Sequence, residues 1–317
     1  MDHVMGKGAR RIVLVAGPTA SGKSALALRL ARAFDGVVIN ADSMQVYRGL
    51  PILTAQPDEI AHASAPHRLY GVFDASEACS VARWRDLALA EIERAGAAGR
   101  LAVLAGGTGL YLRALLHGLA ELPEIPAGIR DEARRFVAEA GPAAAHAWLA
   151  SEDPETAAGL APGDRQRLAR AIEVLRATGR GLRAWQRDAN PVPELRAGTI
   201  LLMPPRAALR ERCDARFRKM VEAGALREVR NIMALGLDPG LPAMKALGLR
   251  ELASHLAGDC GLDEAIARAQ AATRQYAKRQ TTWFRHQFRA DLVVKDSESL
   301  EGDIFAFIRH FLLTTPV

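Results

Sequence analysis

The sequence predicts an α/β fold: a parallel sheet with helices on both faces, interrupted by a helical insertion. Three observations predict it. Short apolar runs alternate with Ala/Leu-rich segments, glycine-rich turns follow the runs, and the texture changes between residues 122 and 198. The run Arg11-Ile12-Val13-Leu14-Val15-Ala16-Gly17 reads as a buried strand. Residues 24–34 read as a helix, 36–40 as a second strand, 81–95 as a helix and 101–105 as a third strand. Strands alternating with helices argue for a parallel sheet. The strand pattern restarts at 200–203, and Leu292-Val293-Val294 reads as an edge strand. In between, Leu122-Pro123-Glu124-Ile125-Pro126 breaks the chain. Segments rich in Ala, Arg and Glu follow, and Pro191-Val192-Pro193 closes the stretch. The expected division is a catalytic core of 1–121 and 199–317, the latter carrying basic helices, with a helical insertion of 122–198.

The chain has 317 residues, 49% hydrophobic and 25% charged. That composition suits a packed protein of two modest domains, or one with a large insertion, and excludes wholesale disorder and collagen-like repeats. No apolar run reaches the ~18–20 residues that span a bilayer. The basic N-terminal segment has no separate apolar region and cleavage site, so no signal peptide is expected. Cys79, Cys213 and Cys260 are odd in number and lack C-x-x-C spacing, which points away from a disulfide scaffold and toward a reducing cytoplasm. The formal charge is +6, and it is uneven. Residues 205–290 hold 16 Lys and Arg against 9 Asp and Glu, a local +7. A basic third of this kind suits a polyanionic partner, although a solvated face would read the same way.

Gly17-Pro18-Thr19-Ala20-Ser21-Gly22-Lys23-Ser24 matches G-x-x-x-x-G-K-[ST] between a strand and a helix start. The glycines let backbone N–H groups cradle phosphate oxygens at the positive helix end. Lys23 adds a point charge, and the Ser24 hydroxyl can ligate Mg²⁺. The core is therefore expected to be P-loop NTPase-like, with a polyphosphate site whose ligand the motif leaves open.

Asp42 follows the second strand, at the carboxyl edge where α/β sheets bind ligands. It reads equally as a general base, a Mg²⁺ partner, or a helix-capping or turn aspartate. Thr108, in Gly106-Gly107-Thr108-Gly109 after the third strand, holds an equivalent edge position, where the glycines permit close approach of a ligand or simply make a turn. Residues 164–178 are amphipathic, with Leu168, Ala171, Ile172 and Leu175 on one face and Gln166, Arg167 and Arg170 roughly opposite. Arg212, Arg216, Arg218 and Lys219 form a denser basic cluster, suited to phosphate or to solvent. From Arg274 to Arg289, Arg274, Lys278, Arg285 and Arg289 fall within about 60° on a helical wheel. Tyr276, Trp283, Phe284 and Phe288 gather on the other side, and no acid occurs from Ala265 to Ala290. That pattern fits aromatics on the core and a basic stripe toward phosphates, or a basic surface helix with no ligand. The eight histidines show no metal-binding spacing.

Five motifs in order make the chain resemble the tRNA dimethylallyltransferases, which prenylate an adenine beside the anticodon. They are Gly-Pro-Thr-Ala-Ser-Gly-Lys-Ser at 17–24, Asn-Ala-Asp-Ser-Met-Gln-Val-Tyr-Arg at 40–48, Gly-Gly-Thr-Gly-Leu-Tyr at 106–111, Asp-Arg-Gln-Arg-Leu-Ala-Arg-Ala-Ile-Glu-Val at 164–174 and Gln-Tyr-Ala-Lys-Arg-Gln-Thr-Thr-Trp-Phe-Arg at 275–285. The resemblance implies a P-loop core with a helical insertion, and a monomeric cytoplasmic enzyme that uses Mg²⁺. It transfers a dimethylallyl group from dimethylallyl diphosphate to the N6 amine of the adenine at position 37 in the anticodon stem-loop. It also implies that Asp42, as the base, Thr108 and Arg216 carry the chemistry, that the loop from Gly17 to Ser24 holds the prenyl diphosphate, and that Ser24 faces the metal. tRNA contacts are implied for Asp42, Ser43, Met44, Gln45, Thr108, Arg130, Gln166, Arg167, Leu168, Ala169 and Arg170, with Arg274, Lys278, Arg279 and Arg285 on the basic helix. Two departures stand out: Leu249 where the family usually has Tyr, and Arg68 in place of a commoner His. The residues alone also accommodate a small-molecule kinase in which Asp42 activates a hydroxyl toward ATP. A prenyltransferase acting on free adenine nucleotides and an RNA-binding NTPase switch are further readings.

Overall fold

The computed structural model describes residues 10–188, 195–295 and 301–314. The chain begins β1 (Arg10–Ala16), α1 (Lys23–Ala33), β2 (Gly36–Asn40), α2 (Pro51–Thr54), α3 (Glu59–Ser64), β3 (His67–Arg68), α4 (Val81–Ala97), β4 (Leu101–Gly106) and α5 (Gly109–His117). Five helices follow: α6 (Ala127–Glu139), α7 (Pro142–Glu152), α8 (Pro154–Ala158), α9 (Arg165–Thr178) and α10 (Leu182–Arg187). The sheet resumes with β5 (Leu195–Leu202). After it come α11 (Arg206–Glu222), α12 (Ala225–Met233), α13 (Leu249–Leu256), α14 (Leu262–Gln287), β6 (Leu292–Val294) and α15 (Glu301–Thr314).

The six strands form one parallel sheet in the order β3-β2-β4-β1-β5-β6. This is the expected P-loop NTPase-like α/β core. Parallel strands covered on both faces read as unbroken apolar runs, which is why β2 and β4 are buried along their whole length. Alternate residues serve opposite layers. Ile12, Leu14, Ile39 and Leu104 pack with Trp84, Tyr111 and Phe284 on one face. Val13, Val15, Val38 and Val103 pack with Leu26, Leu30, Ile304 and Ile308 on the other.

One boundary differs from expectation, and one strand was not foreseen. β5 starts at Leu195, so residues 195–198 pair with β1 instead of ending the insertion. β3 is a two-residue edge strand, too short to leave a periodic signal. Pro191-Val192-Pro193 lies outside the described residues.

The chain separates into two compact units, 1–116 with 193–317, and 117–192. The second has its own apolar core, in which Leu168, Ala171 and Ile172 of α9 meet Ala133, Val137, Ala145 and Leu149. Asp164 caps α9 by accepting the Arg167 N–H, and Asp153 caps α8 through Thr156. Arg176 lies over both Phe136 and Trp148, its guanidinium 5.0 Å from each ring centre.

In the first unit, the carboxyl ends of β1, β2 and β4 come together. At Gly106, a side-chain carbon would run into the Ala41 backbone carbonyl, so the β2 and β4 exits can approach only because position 106 is glycine. We expect Gly106→Ala to cost about 2–3 kcal/mol of stability, as overpacking against unyielding backbone does. Urea unfolding of the purified protein measures it, and a change below about 0.5 kcal/mol would show that the two exits can part.

Candidate active site

Gly17 and Gly22 shape the loop between β1 and α1. Gly17 has φ +156°, and a Cβ there would collide with the Leu202 carbonyl. Gly22, at φ +93°, starts α1 without a side-chain cap, and no acid occupies the first turn. The first N–H groups of α1 therefore meet no capping side chain, the condition for binding an anion there. Lys23 is buried and donates to the Pro18 carbonyl at 3.3 Å. Burial lowers its pKa to about 8, with Asp42 pulling it back up and Arg216 pushing it further down. Arg216, on α11, is brought to the loop by its 3.4 Å bond to the Thr19 hydroxyl. Burial lowers its pKa as well, and Asp42 opposes the shift.

Asp42 is held by its neighbours. Its N–H donates to Asn40 Oδ1 at 2.8 Å, and its own Oδ1 accepts the Met44 N–H at 2.9 Å, an Asx-type turn. Asn40, fully buried, also donates from Nδ2 to the Asp42 and Leu69 carbonyls, while its own carbonyl accepts the Trp84 indole N–H at 2.9 Å. Thr108 Oγ1 accepts the Ser43 N–H at 2.9 Å and donates to the Ser43 hydroxyl. Gln45 bonds the carbonyls of Thr54 and Ala55. The turn reading and the functional reading of Asp42 are thus compatible, since the turn that fixes the carboxylate also presents it at the sheet edge.

These groups line one cleft of about 680 Å³. Its walls include Thr19, Lys23, Ser24, Asp42, Arg212, Arg216, Lys245 and Arg279, with Met44, Leu53, Leu247 and Tyr276 supplying apolar surface. Five of its lining residues are cationic, and Asp42 is the one acid among them. Among the described residues, no group of three His, Cys, Asp or Glu side chains could hold a metal.

The model of the IPP transferase family matches residues 45–287. The chain belongs to that family. It is 59% identical over 283 residues to the tRNA dimethylallyltransferase of Rhodospirillum centenum, covering 89% of this chain and 90% of the relative. Against the enzyme of the same name from Rhodospirillum rubrum it is 54% identical, covering 99% of both chains. The crystal structure of a full-length tRNA isopentenylpyrophosphate transferase from Bacillus halodurans has a TM-score of 0.71 and 34% identity, over 96% of this chain and 98% of that one. A eukaryotic dimethylallyltransferase acting on tRNA has a TM-score of 0.82 at 25% identity, over 98% of this chain and 81% of that one.

Within this IPP transferase framework, the residues expected to contact tRNA fall in different environments. Leu168 and Ala169 are buried in the insertion core, so only Gln166, Arg167 and Arg170 of that segment expose side chains. Arg167 pairs with Asp164, and Arg170 with Glu173 at 2.5 Å. Arg130 donates to the Ile125 carbonyl, also within the insertion. On α14, Lys278, Arg279 and Arg285 are exposed. Arg274 instead pairs with Asp214 at 2.5 Å, and Arg289 lies beyond the helix end at Gln287. Phe284 is fully buried as expected, whereas Tyr276 lines the cleft. Leu249, at the family's usual Tyr position, is buried in the core, and its neighbour Leu247 reaches the cleft. Arg68 lies on β3 and pairs with Glu91. The residues missed by sequence reasoning are Asn40, Trp84 and Gln280. Asn40 and Gln280 are buried polar side chains inside regular elements, where sequence patterns look for apolar residues, and Trp84 reads as core although its indole N–H holds the Asn40 carbonyl.

With a pKa of about 8, Lys23 loses charge as pH rises through 8, whereas a bound anion would favour its protonated form. Binding of inorganic diphosphate should therefore take up a proton near pH 8.5 and weaken between pH 7.5 and 9.5. Calorimetry in buffers of different ionisation enthalpy reads the uptake. The same uptake in Lys23→Met would assign the proton to another group.

Proposed function

We propose that this chain transfers the dimethylallyl group of dimethylallyl diphosphate to the exocyclic N6 amine of the adenine at position 37, in the anticodon stem-loop of tRNA, releasing diphosphate. One observation carries the reading. A phosphate-binding loop and a fixed carboxylate share a single cation-lined cleft, in a chain of the IPP transferase family. The kinase and free-nucleotide readings leave the exposed cations of α14 and the tRNA enzymes among its relatives without an explanation.

The chemistry follows from these groups. The N6 lone pair is delocalised into the adenine ring, so the amine is a weak nucleophile, and a base accepting its proton assists attack. Asp42 is the proposed base. The nitrogen attacks the allylic carbon, the carbon–oxygen bond to diphosphate breaks with its electron pair moving to oxygen, and the N6 proton passes to Asp42. Lys23, Arg216 and the loop N–H groups stabilise the negative charge on the departing oxygen. Thr108 keeps the Ser43 turn in place beside Asp42. An adenine in a loop must leave its stack to enter such a cleft.

Mg²⁺ is the proposed cofactor. The Ser24 hydroxyl, at the loop's end, and one carboxylate, Asp42, share the cleft without a dedicated cage among the described residues. This donor set fits an ion held mainly by diphosphate oxygens and water. The buried Ser21 hydroxyl, which has no partner in the protein, also fits a loop designed around an anion. When bound, the ion would neutralise charge on the leaving diphosphate. The three cysteines are free, which fits the reducing cytoplasm as its compartment.

Incorporation of labelled dimethylallyl groups into bulk tRNA, beside a control for ATP turnover, tests the reading. Prenylation without ATP supports it, and ATP hydrolysis without prenylation overturns it. Asparagine at position 42 can still accept the Met44 N–H, so Asp42→Asn should keep tRNA affinity within about twofold yet slow single-turnover transfer by ~10²-fold or more. A near-normal rate would remove Asp42 from the chemistry.

The exposed cations of α14 and of the insertion are the proposed tRNA grip. Changing both Lys278 and Arg285 to Gln should reduce the slope of log affinity against log salt by about 2. Inorganic diphosphate binding should stay as it was. An unchanged slope would leave these side chains as a solvated face.

A further inference from the structure

Gln280 lies in α14, between the exposed cations Arg279 and Arg285, and it is buried. Its side-chain carbonyl accepts the Thr19 N–H at 2.8 Å, and its side-chain N–H donates to the Gly107 carbonyl at 2.8 Å. Both halves of one neutral amide are therefore engaged, by two loops 88 residues apart in sequence. Thr19 belongs to the phosphate-binding loop and carries the hydroxyl bonded by Arg216. Gly107 adjoins Thr108, which holds the Ser43 turn beside Asp42. A Cβ at Gly107 would collide with the Gln280 amide, so glycine there is what admits the bridge.

We propose that Gln280 is a positioning residue that sets the separation between the leaving-group cradle and the edge carrying Asp42. The inference rests on the proposed prenyl transfer for its kinetic consequences, though the bridge itself does not. The carbon attacked and the proton removed belong to different substrates held by different loops, and an error of about 1 Å between them costs ~10²-fold in rate. Two strand exits joined only through the sheet below could drift independently. A bidentate amide spanning them removes that freedom without placing charge next to the diphosphate. A lysine or arginine there would compete for the ligand, and a carboxylate would repel it. Glutamine has the one side chain of this length that both donates and accepts at every pH without ionising.

Gln280→Met removes both bonds at similar volume. Under the proposal, kcat falls by ~30- to 100-fold, while KM for the prenyl donor and for tRNA changes less than about threefold. Gln280→Glu gives a sharper signature. Its ionised carboxylate can accept the Thr19 N–H but cannot donate to Gly107, whereas its protonated form does both. The ratio of its single-turnover rate to the wild-type rate should therefore rise at least fivefold as pH falls from 8 to 5.5. A merely structural glutamine would produce no such recovery, and this arm still decides if the methionine variant fails to fold. Amide hydrogen exchange at Thr19 reports the bridge without catalysis, and should speed up ~10-fold or more in Gln280→Met. A wild-type protein that prenylates no tRNA would count against the proposed function, and Thr19 exchange would still decide the bridge. The inference is overturned if a folded Gln280→Met keeps kcat within threefold of wild type, if Gln280→Glu shows no acid recovery, or if Thr19 exchange is unaffected.

Discussion

The cleft gathers more positive charge than its own carboxylate can offset, and the site is organised around that imbalance. Lys23, Arg212, Arg216, Lys245 and Arg279 line it with Asp42 as the one acid among the lining residues. Burial works against Lys23 and Arg216 alike, each is drawn back by Asp42, and Arg216 further disfavours the charge on Lys23. A polyanion at the loop would relieve both cations together and add hydrogen bonds to N–H groups that no side chain caps. The carboxyl ends of parallel strands and the amino end of a helix are the places where a fold can offer such a surface from its backbone.

Neutral groups do the holding. Asn40 and Trp84 fix the Asp42 turn, Thr108 fixes Ser43, and Gln280 joins the two loops. An ion pair could brace the same loops, but it would place an extra charge within a few ångströms of the ligand, where a low effective dielectric magnifies it. Amides, hydroxyls and an indole provide direction without altering the potential. The ion pairs of α14 and the insertion, Arg274 with Asp214 and Arg170 with Glu173, are not among the cleft-lining residues.

What was legible in the sequence follows from how each signal arises. The strands of the sheet centre are unbroken apolar runs because both faces are covered, so β1, β2 and β4 could be read directly. The loop between β1 and α1 could be read because its glycines, lysine and serine stand at fixed spacing. The start of β5 could not, since Leu195, Arg196, Ala197 and Gly198 mix polarity beside a proline-rich stretch. The pairing of Arg274 was equally hidden, because Asp214 lies 60 residues away and meets it only through the packing of α11 on α14. Leu168 and Ala169 came with a motif whose charged neighbours face outward; helical periodicity assigns Leu168 to the core, whereas Ala169 lies off that face and is covered only by the packing of the insertion. Gln280 was invisible for the opposite reason: it sits within the motif at 275–285, but neither charge nor periodicity distinguishes a bridging glutamine from a solvated one.

The loop between β1 and α1 cannot by itself decide which molecule arrives. It presents N–H groups, an ammonium and a hydroxyl, which recognise phosphate oxygens and ignore whatever they are attached to. Discrimination must come from the rest of the cleft, where Met44, Leu53, Leu247 and the Tyr276 ring face the same space as Asp42. A ribose beyond the phosphates would lay hydroxyls against these apolar side chains and leave its polar groups poorly paired, whereas a short branched hydrocarbon loses nothing by burial there. Under the proposed reaction the two kinds of lining residue therefore have separate tasks. The cations hold and stabilise the leaving group, and the apolar side chains select what that group is attached to.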